Sequence, residues 1–598
     1  MTRNGLLCST AAEAQDGLKA QLSVTPMPHA EPNEYLEAKN AQSPSRRSLD
    51  RDTMRTMIEG VRADTRDIEA FYNCTFSSTR TQRLKDYFEG ALRELLAVAY
   101  TDLVLEGQTD YVLLQKHLRR QLRGLKDFEV AHKELEPLIE PFASNLVTLL
   151  ECRQSVTPMT GKHAADVLSA SSTEARSKCA KIKDGKLQMG GDGARFAAYH
   201  AVNVLHELLR LMREWFGFYN GYDPTFTWWV AKPHELLLNA LQELAETVKK
   251  ELVGTRGDND DAIVGQPTGR DGILADLDAQ FNAYSPEELI KIAEKEYAWC
   301  EAEMTRASTE LGFGRDWKAA LEHVKNMYVE PGQQTSLVHE LAEEAVAYVK
   351  KHDMVTIPAI AEECWKTYMM SPKRQKANPF FLGGESILVS YPTDTMSHED
   401  KLMSMRGNSR PFSRSTVFHE LIPGHHLQYH MIARYHSYRS LFSTPFWMEG
   451  WAFYWEFLLY DSDFTQEPED RIGMLFWRMH RCARIVFSIK FHLGEMTPQE
   501  CIDYLVDKVG HERATAEGEV RRSFNGDYTP LYQAGYMLGA LQFRAMRQDV
   551  VGEGLMTEKE FHDRVLKEGE MPIEILRALL LGRSLSKDHK ASWRFYDI

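Results

Sequence analysis

Apolar residues recur at three- and four-residue steps through RLKDYFEGALRELLAVAYTDLVL (83–105) and YVLLQKHLRRQLRGL (111–125), which predicts amphipathic helices across most of 53–151. The same period returns at Phe196–Trp215 and at His234–Val253. PEELIKIAEKEYAWCEAEM (286–304) opens with Pro286 and two glutamates, as a helix N-terminus should. Between these patterns lie polar or turn-rich stretches. Ser169–Gly193 reads as a loop and a lobe boundary near 169–195, YNGYDPTFTWWVAKP (219–233) as a packed aromatic loop, and Gly254–Gly272 as another polar loop. One segment has strand character: SILVSYPT (Ser386–Thr393) is rich in β-branched and aromatic residues and follows the turn pair Gly383-Gly384. An edge strand there would receive an extended substrate; a core strand fits the sequence equally well. The expected fold is mainly α: a large two-lobed helical body, residues 51–598, with a deep cleft, a small β element and a flexible segment at 1–50.

Composition narrows the class. The chain has 598 residues, 43% hydrophobic and 26% charged, with a net charge of −15 and no dense Lys/Arg stripe, which argues against nucleic acid as a partner. No stretch has the length of an apolar membrane span, and MTRNGLLCSTAAEAQDG lacks the apolar core of a secretory signal. Eight cysteines are scattered without paired spacing and read as reduced thiols, so the expected location is cytoplasmic.

The chemistry concentrates in SRSTVFHELIPGHHLQYH, which carries His419, Glu420, His425, His426 and His430. Zinc hydrolases use H-E-x-x-H on a helix, where the two histidines share a face and the glutamate acts as base. Here the fourth position after His419 is Pro423, and removing Pro423-Gly424 restores His-Glu-Leu-Ile-His. His419 with His426 would lie about 10 Å apart along a straight helix, too far for one ion. His426 with His430 has the spacing but no adjacent base. His419 with His425 works if Pro423-Gly424 kinks or bulges the helix, and is preferred, with His426 as the alternative ligand.

The third ligand should come from FWMEGWAFYWEFLLYD, where Glu449 lies 24 residues after His425 and Glu456 follows one heptad later, placed to steady a ligand histidine. Two histidines and a carboxylate leave one position on zinc for water, whose proton Glu420 would take and then deliver to the leaving group. In DYTPLYQAGYMLG, Tyr536 and Tyr532 are candidate oxyanion donors, with Tyr528 close by. His492 and His511 are weaker candidates. Arg406 could pair with a substrate carboxylate or form a surface salt bridge.

HELIPGHHLQ, MEGWAFYWE, DRIGMLFWRMHRCARIVFSIKFHLG, EVRRSF and PLYQAGYMLG together resemble the family known as domain of unknown function 885, over roughly 190–585. The resemblance implies a helical fold similar to the glutamate-liganded zinc metallopeptidases of the angiotensin-converting-enzyme and thimet-oligopeptidase groups. It carries over His419, Glu420, His425, His426, Glu449 and Tyr536 as motif positions. Those peptidases have a carboxylate four residues after their glutamate ligand, where this chain has Phe453. The expected activity is zinc-dependent hydrolysis of a peptide or amide bond in a small peptide-like substrate. The rival expectations are metal-dependent tailoring of a non-peptide small molecule, or a non-catalytic binding protein that retains the fold.

Overall fold

The computed structural model describes residues 49–598 apart from 192, 255–262, 376–379, 463 and 526–527. The expected flexible segment at 1–50 lies almost wholly outside the described residues, as does Cys8. Asp50–Ile598 forms one compact unit, and its body is mainly helical with one small sheet.

Short polar side chains set where the helices begin. Ser285 caps Pro286–Glu310 and exchanges hydrogen bonds with Glu288 in a capping box, and Asp223 accepts from the amides of Thr225 and Phe226 at the start of Pro224–Val248. That second cap corrects the reading of 219–233. Most of the segment is helix; Phe226 and Val230 are buried in it, whereas Trp228 and Tyr222 stand in solvent. The expected loop at 169–193 is likewise mostly helix, since Gly161–Lys183 runs through it. Its buried face is made of small residues, among them Ala164, Ser171, Ser172, Ala175 and Cys179. Small side chains let it lie close against Pro224–Val248, a packing that hydrophobic periodicity does not register. These helices, with Phe142–Gln154 and Ala194–Tyr219, enclose their own apolar core.

A larger core surrounds Pro445–Asp461, in which Trp447, Trp451 and Trp455 are fully buried together with nearly every residue from Phe446 to Leu459. A helix apolar on all sides belongs at the centre of a fold. Its neighbour Tyr532–Arg547 crosses it backbone to backbone. A Cβ on Gly450 would come within 2.6 Å of Gly539 Cα, and one on Gly535 within 2.9 Å of the Pro445 carbonyl carbon. Gly450 therefore seats the tyrosine-bearing helix.

The sheet has two parallel strands, β1 (Lys366–Met369) and β2 (Ser386–Val389), paired Lys366 to Ser386 through Met369 to Val389. The strand is present, but shorter than SILVSYPT. Its far side carries a bridge between Leu388 and Leu382, and Ile387 and Val389 pack on Val417 and Leu421. β2 is thus an inner, core-packed strand and offers no edge at Leu388 for strand addition. The seven described cysteines are free thiols. Among the described residues no helix is long and apolar enough to cross a membrane.

The glycine crossing yields a stability test. Gly539→Ala should lower the urea unfolding midpoint by an amount corresponding to about 1–3 kcal/mol of overpacking. Gly217→Ala, at an open helical position, should be neutral or raise it by about 0.5–1 kcal/mol. Far-UV circular dichroism under urea checks both; equal midpoints for the two variants would refute the close crossing.

Candidate metal centre

The Arg410–Glu420 helix is held against Pro468–His492. Phe412 stacks on Phe476 at 4.4 Å between ring centres, Trp477 Nε1 donates to the Phe412 carbonyl, and Gly473 admits the backbone of Pro411. The helix stops at Glu420 and a second one, His425–Ile432, begins at once. The expected kink within one helix is a complete break. Residues 421–424 form the turn, with the Ile422–Pro423 peptide cis. The Gly424 amide donates to the Phe418 carbonyl at 3.0 Å, Leu427 to Leu421 at 3.3 Å, and Trp451 Nε1 to the Pro423 carbonyl at 3.0 Å. A Cβ on Gly424 would overlap the His419 carbonyl, so the turn folds back this tightly only with glycine there.

The break brings His419 and His425 together, with ring centres 5.0 Å apart and planes nearly perpendicular. Glu449 reaches both: its Oε2 lies 3.7 Å from His419 Nε2 and 3.1 Å from His425 Nε2. The other ring nitrogens are committed. His419 Nδ1 donates to Glu456 Oε1 at 2.8 Å, and His425 Nδ1 to Gln428 Oε1 at 3.2 Å, which leaves both Nε2 atoms facing Glu449. Glu456 follows Glu449 by two helical turns and so shares its face. A carboxylate oxygen of Glu420 and a nitrogen of each imidazole lie within 4.8 Å of one another. His426 is turned away, with its Nδ1 and Nε2 at 3.0 and 2.9 Å from the carbonyls of Glu385 and Ala361.

The donor set fits a zinc-sized ion. Two imidazole nitrogens and one carboxylate oxygen converge, and the separations of 3.1 and 3.7 Å bracket the edge of about 3.3 Å expected of a tetrahedron with bonds of ~2.0–2.1 Å. The remaining Glu449 oxygen, Oε1, accepts from the Tyr532 hydroxyl at 2.8 Å. Tyr532 therefore orients the carboxylate and its hydroxyl is spoken for. Tyr536 lies stacked over His419, ring centres 6.2 Å apart, and with Tyr528 and Tyr532 lines a cavity of about 290 Å³ that also touches Glu420, His425 and Glu449.

A family model described as "Bacterial protein of unknown function (DUF885)" matches residues 73–580. The chain belongs to this family. Membership reaches about 120 residues further toward the N-terminus than the motifs recognisable by eye. Two solved structures share the DUF885 chain's fold. One is a putative lipoprotein of unknown function from Shewanella oneidensis, 16% identical with a TM-score of 0.64, the match covering 90% of this chain and 100% of that one. The other is the putative lipoprotein from Colwellia psychrerythraea, 15% identical with a TM-score of 0.57, covering 89% and 98%. No curated protein matches.

Burial governs the electrostatics of this DUF885 site. It would depress the His419 imidazolium, but hydrogen bonds to Glu449 and Glu456 outweigh it and lift the group to about 9. Burial opposes the Glu449 charge too, and the two imidazoles overcome it, holding the carboxyl well below its usual range. Glu420 is raised by burial, against the pull of His419 and His425. Burial likewise raises the Tyr532 and Tyr536 phenols, with Glu449 adding to it, so both hydroxyls keep their protons and act as donors.

Three sequence candidates fall elsewhere. Arg406 does not line the cavity; it pairs with Glu322, donates to Asn326 Oδ1 at 2.6 Å and lies 3.3 Å from Glu512, the salt-bridge reading of that residue. His511 faces His480 at 2.8 Å, and His492 sits beside Thr268, Phe491 and Phe524. Sequence reasoning missed Gln428, Gly383, Arg374 and Arg522. A side chain on Gly383 would overlap the Glu420 carboxylate, so the Gly383-Gly384 pair, read as a turn, also forms a wall against that residue. Its signal was the glycine pair itself; Gln428 sits three residues after His425 on the same helical face, a spacing that could have found it.

Proposed function

We propose that this protein is a zinc-dependent hydrolase that cleaves a peptide or amide bond in a small peptide-like substrate. The observation that carries the reading is the convergence of His419 Nε2, His425 Nε2 and Glu449 Oε2 beside a carboxylate, Glu420, that none of the three holds in a close ion pair. A structural ion would take four protein ligands and has no use for such a neighbour; a catalytic one takes three and keeps a position open. Zinc, when bound, would supply Lewis acidity toward the substrate carbonyl and toward an attacking water.

The chain's own residues supply the rest. Glu420, buried at the cavity wall, is placed to accept a proton from water and return it to the departing nitrogen, and its raised affinity for protons suits both halves of that task. Glu456 and Gln428 fix the two imidazoles in the tautomer that presents Nε2. Tyr532 holds Glu449 through one oxygen, so the other is directed at the histidines. Tyr536 carries no such engagement among the described residues, and its protonated hydroxyl can donate to an oxygen that gains charge in the cavity. The seven-residue step from Glu449 to Glu456 replaces the four-residue step of the peptidases that the sequence resembles.

Elemental analysis should find about one zinc per chain in the wild type, lost in His419→Ala, His425→Ala and Glu449→Ala and kept in His426→Ala. Full zinc in the first three variants would overturn the ligand set. On a substrate found by peptide-library digestion, Glu420→Gln should keep its metal and lose roughly 10²–10⁴ in turnover; activity within about tenfold of wild type would remove Glu420 as the base.

The two tyrosines should separate by phenotype. Tyr536→Phe is expected to lower kcat by roughly 10²–10³ with zinc still bound. Tyr532→Phe is expected chiefly to weaken zinc binding, by about 10–100-fold in a chelator competition. The reverse pattern would exchange their roles.

A further inference from the structure

Four helices of the smaller core meet at one pole. Phe142–Gln154 and Ala194–Tyr219 end there, and Gly161–Lys183 and Pro224–Val248 begin there. Three contacts tie these ends together. The Arg153 guanidinium lies 4.6 Å from the centre of the Phe218 ring, the Tyr219 and Phe226 rings are 4.6 Å apart, and a Cβ on Gly161 would come within 2.9 Å of Phe226 Cα. This pole carries the three most exposed large apolar side chains among the described residues: Val156 at 84%, Tyr222 at 83% and Trp228 at 76%. Phe218 and Trp229 are exposed beside them. A single apolar residue at the surface needs no explanation, but a group of five at one pole does.

Val156 supplies an independent observation. Its φ is +54°, in the left-handed region, which a β-branched residue adopts only under strain. The turn therefore holds a valine in a disfavoured conformation and points it into water, two unfavourable features in one residue. An apolar phase around the side chain removes the second. The charges at the pole suit an anionic surface. Lys162 is exposed in the first turn of its helix with no ion pair among the described residues, and Arg153 lies against Phe218. The nearby carboxylates are engaged or set back: Asp223 accepts from the amides of Thr225 and Phe226, Glu235 lies 2.9 Å from Lys232, and Asp166 is one turn further along its helix.

We propose that this pole docks on a lipid bilayer surface that carries anionic headgroups. Val156, Tyr222 and Trp228 enter the boundary between headgroups and acyl chains, and Arg153 and Lys162 lie among the phosphates. Residue type favours a bilayer over a protein partner. Tryptophan and tyrosine join an apolar ring to a polar tip, and both are enriched where a membrane meets water. Here they project from a turn and a helix start, together with a valine from a second turn. Such separate points suit a fluid surface, which asks for amphipathic chemistry and depth of insertion instead of a complementary shape. Docking from one side needs no spanning helix, and the described residues contain none. The inference is independent of the hydrolase reading, since none of these residues lines the cavity at the metal centre.

The test is flotation of the full chain with two kinds of vesicle, one of phosphatidylcholine alone and one of phosphatidylcholine and phosphatidylglycerol in equal parts. Wild type should float with the mixed vesicles and more weakly with the neutral ones. Trp228→Ser combined with Tyr222→Ser should lower the partition coefficient by about tenfold or more, because each ring can bury up to ~150–250 Å². Val156→Gly should fold at least as well as wild type, since glycine relieves the left-handed backbone, and still lower partitioning by about threefold or more. Leu555→Ser, at an exposed position elsewhere, should change nothing. Wild type left in the soluble fraction with both vesicles would overturn the proposal, as would undiminished flotation of the pole variants. Flotation that high salt abolishes and that ignores Trp228→Ser with Tyr222→Ser would also overturn it, as adsorption by charge alone. A wild type that ignores vesicles but dimerises in analytical ultracentrifugation, with the dimer lost in that double variant, would assign the pole to a second copy of the chain instead.

Discussion

Everything at the candidate centre depends on Gly424 packing directly on the carbonyl of His419. With a straight helix through 419–426, His419 and His425 would point about 120° apart. The chain instead stops one helix, folds back over its last turn and starts the next, and only a residue without a Cβ permits that approach. The amide of Gly424 satisfies the Phe418 carbonyl, and the Pro423 carbonyl is satisfied by Trp451 from the central helix. The turn is therefore closed from both sides, by its own backbone and by the element that carries Glu449.

That arrangement shows how a carboxylate survives in the most apolar helix of the protein. Glu449 and Glu456 sit among buried tryptophans and phenylalanines, where an unpaired charge would be costly. Glu449 is held between two imidazoles and a tyrosine, and Glu456 against the far nitrogen of one of those imidazoles. Each partner comes from a different helix, so the polar cluster forms only when the helices dock. The glycine crossing of Gly450 with Gly539 brings Tyr532 and Tyr536 to the same place. Apolar packing supplies the adhesion and the polar cluster specifies the register, which is the usual division of labour for a buried network.

The parts of this site that the sequence made legible were those whose signal is local. Four histidines and a glutamate within twelve residues, the Pro423-Gly424 pair and the interval to Glu449 are spacings on one stretch of chain. Helices with strong apolar periodicity and clear caps, such as Pro286–Glu310, were legible for the same reason. Gly161–Lys183 was not, because its inward face is alanine, serine and cysteine, and close packing of small residues leaves no hydrophobic stripe to detect. Arg406 was left between two readings, and the salt bridge is the one present, because adjacency in sequence to the histidine helix says nothing about which way a side chain leaves it. Arg374 and Arg522 were missed because their common feature, a shared cavity wall, exists only after residues 148 positions apart are brought together.

The contrast between the two tyrosines follows from the same geometry. Tyr532 and Tyr536 are four residues apart on one helix and both face the cavity, so position alone cannot assign them. Hydrogen bonding distinguishes them. The Tyr532 hydroxyl is already donated to Glu449, and redirecting it to a substrate would release the carboxylate whose orientation the histidines depend on. Tyr536 faces no such conflict. Its ring is held by stacking on His419 and by the guanidiniums of Arg481 and Arg484, 4.8 and 4.4 Å from its centre. A ring fixed through its faces keeps its hydroxyl both rigid and free to donate. Rigidity without prior commitment is what a preorganised donor requires, because a group that must first break its own hydrogen bond spends on reorganisation what it gains in the transition state.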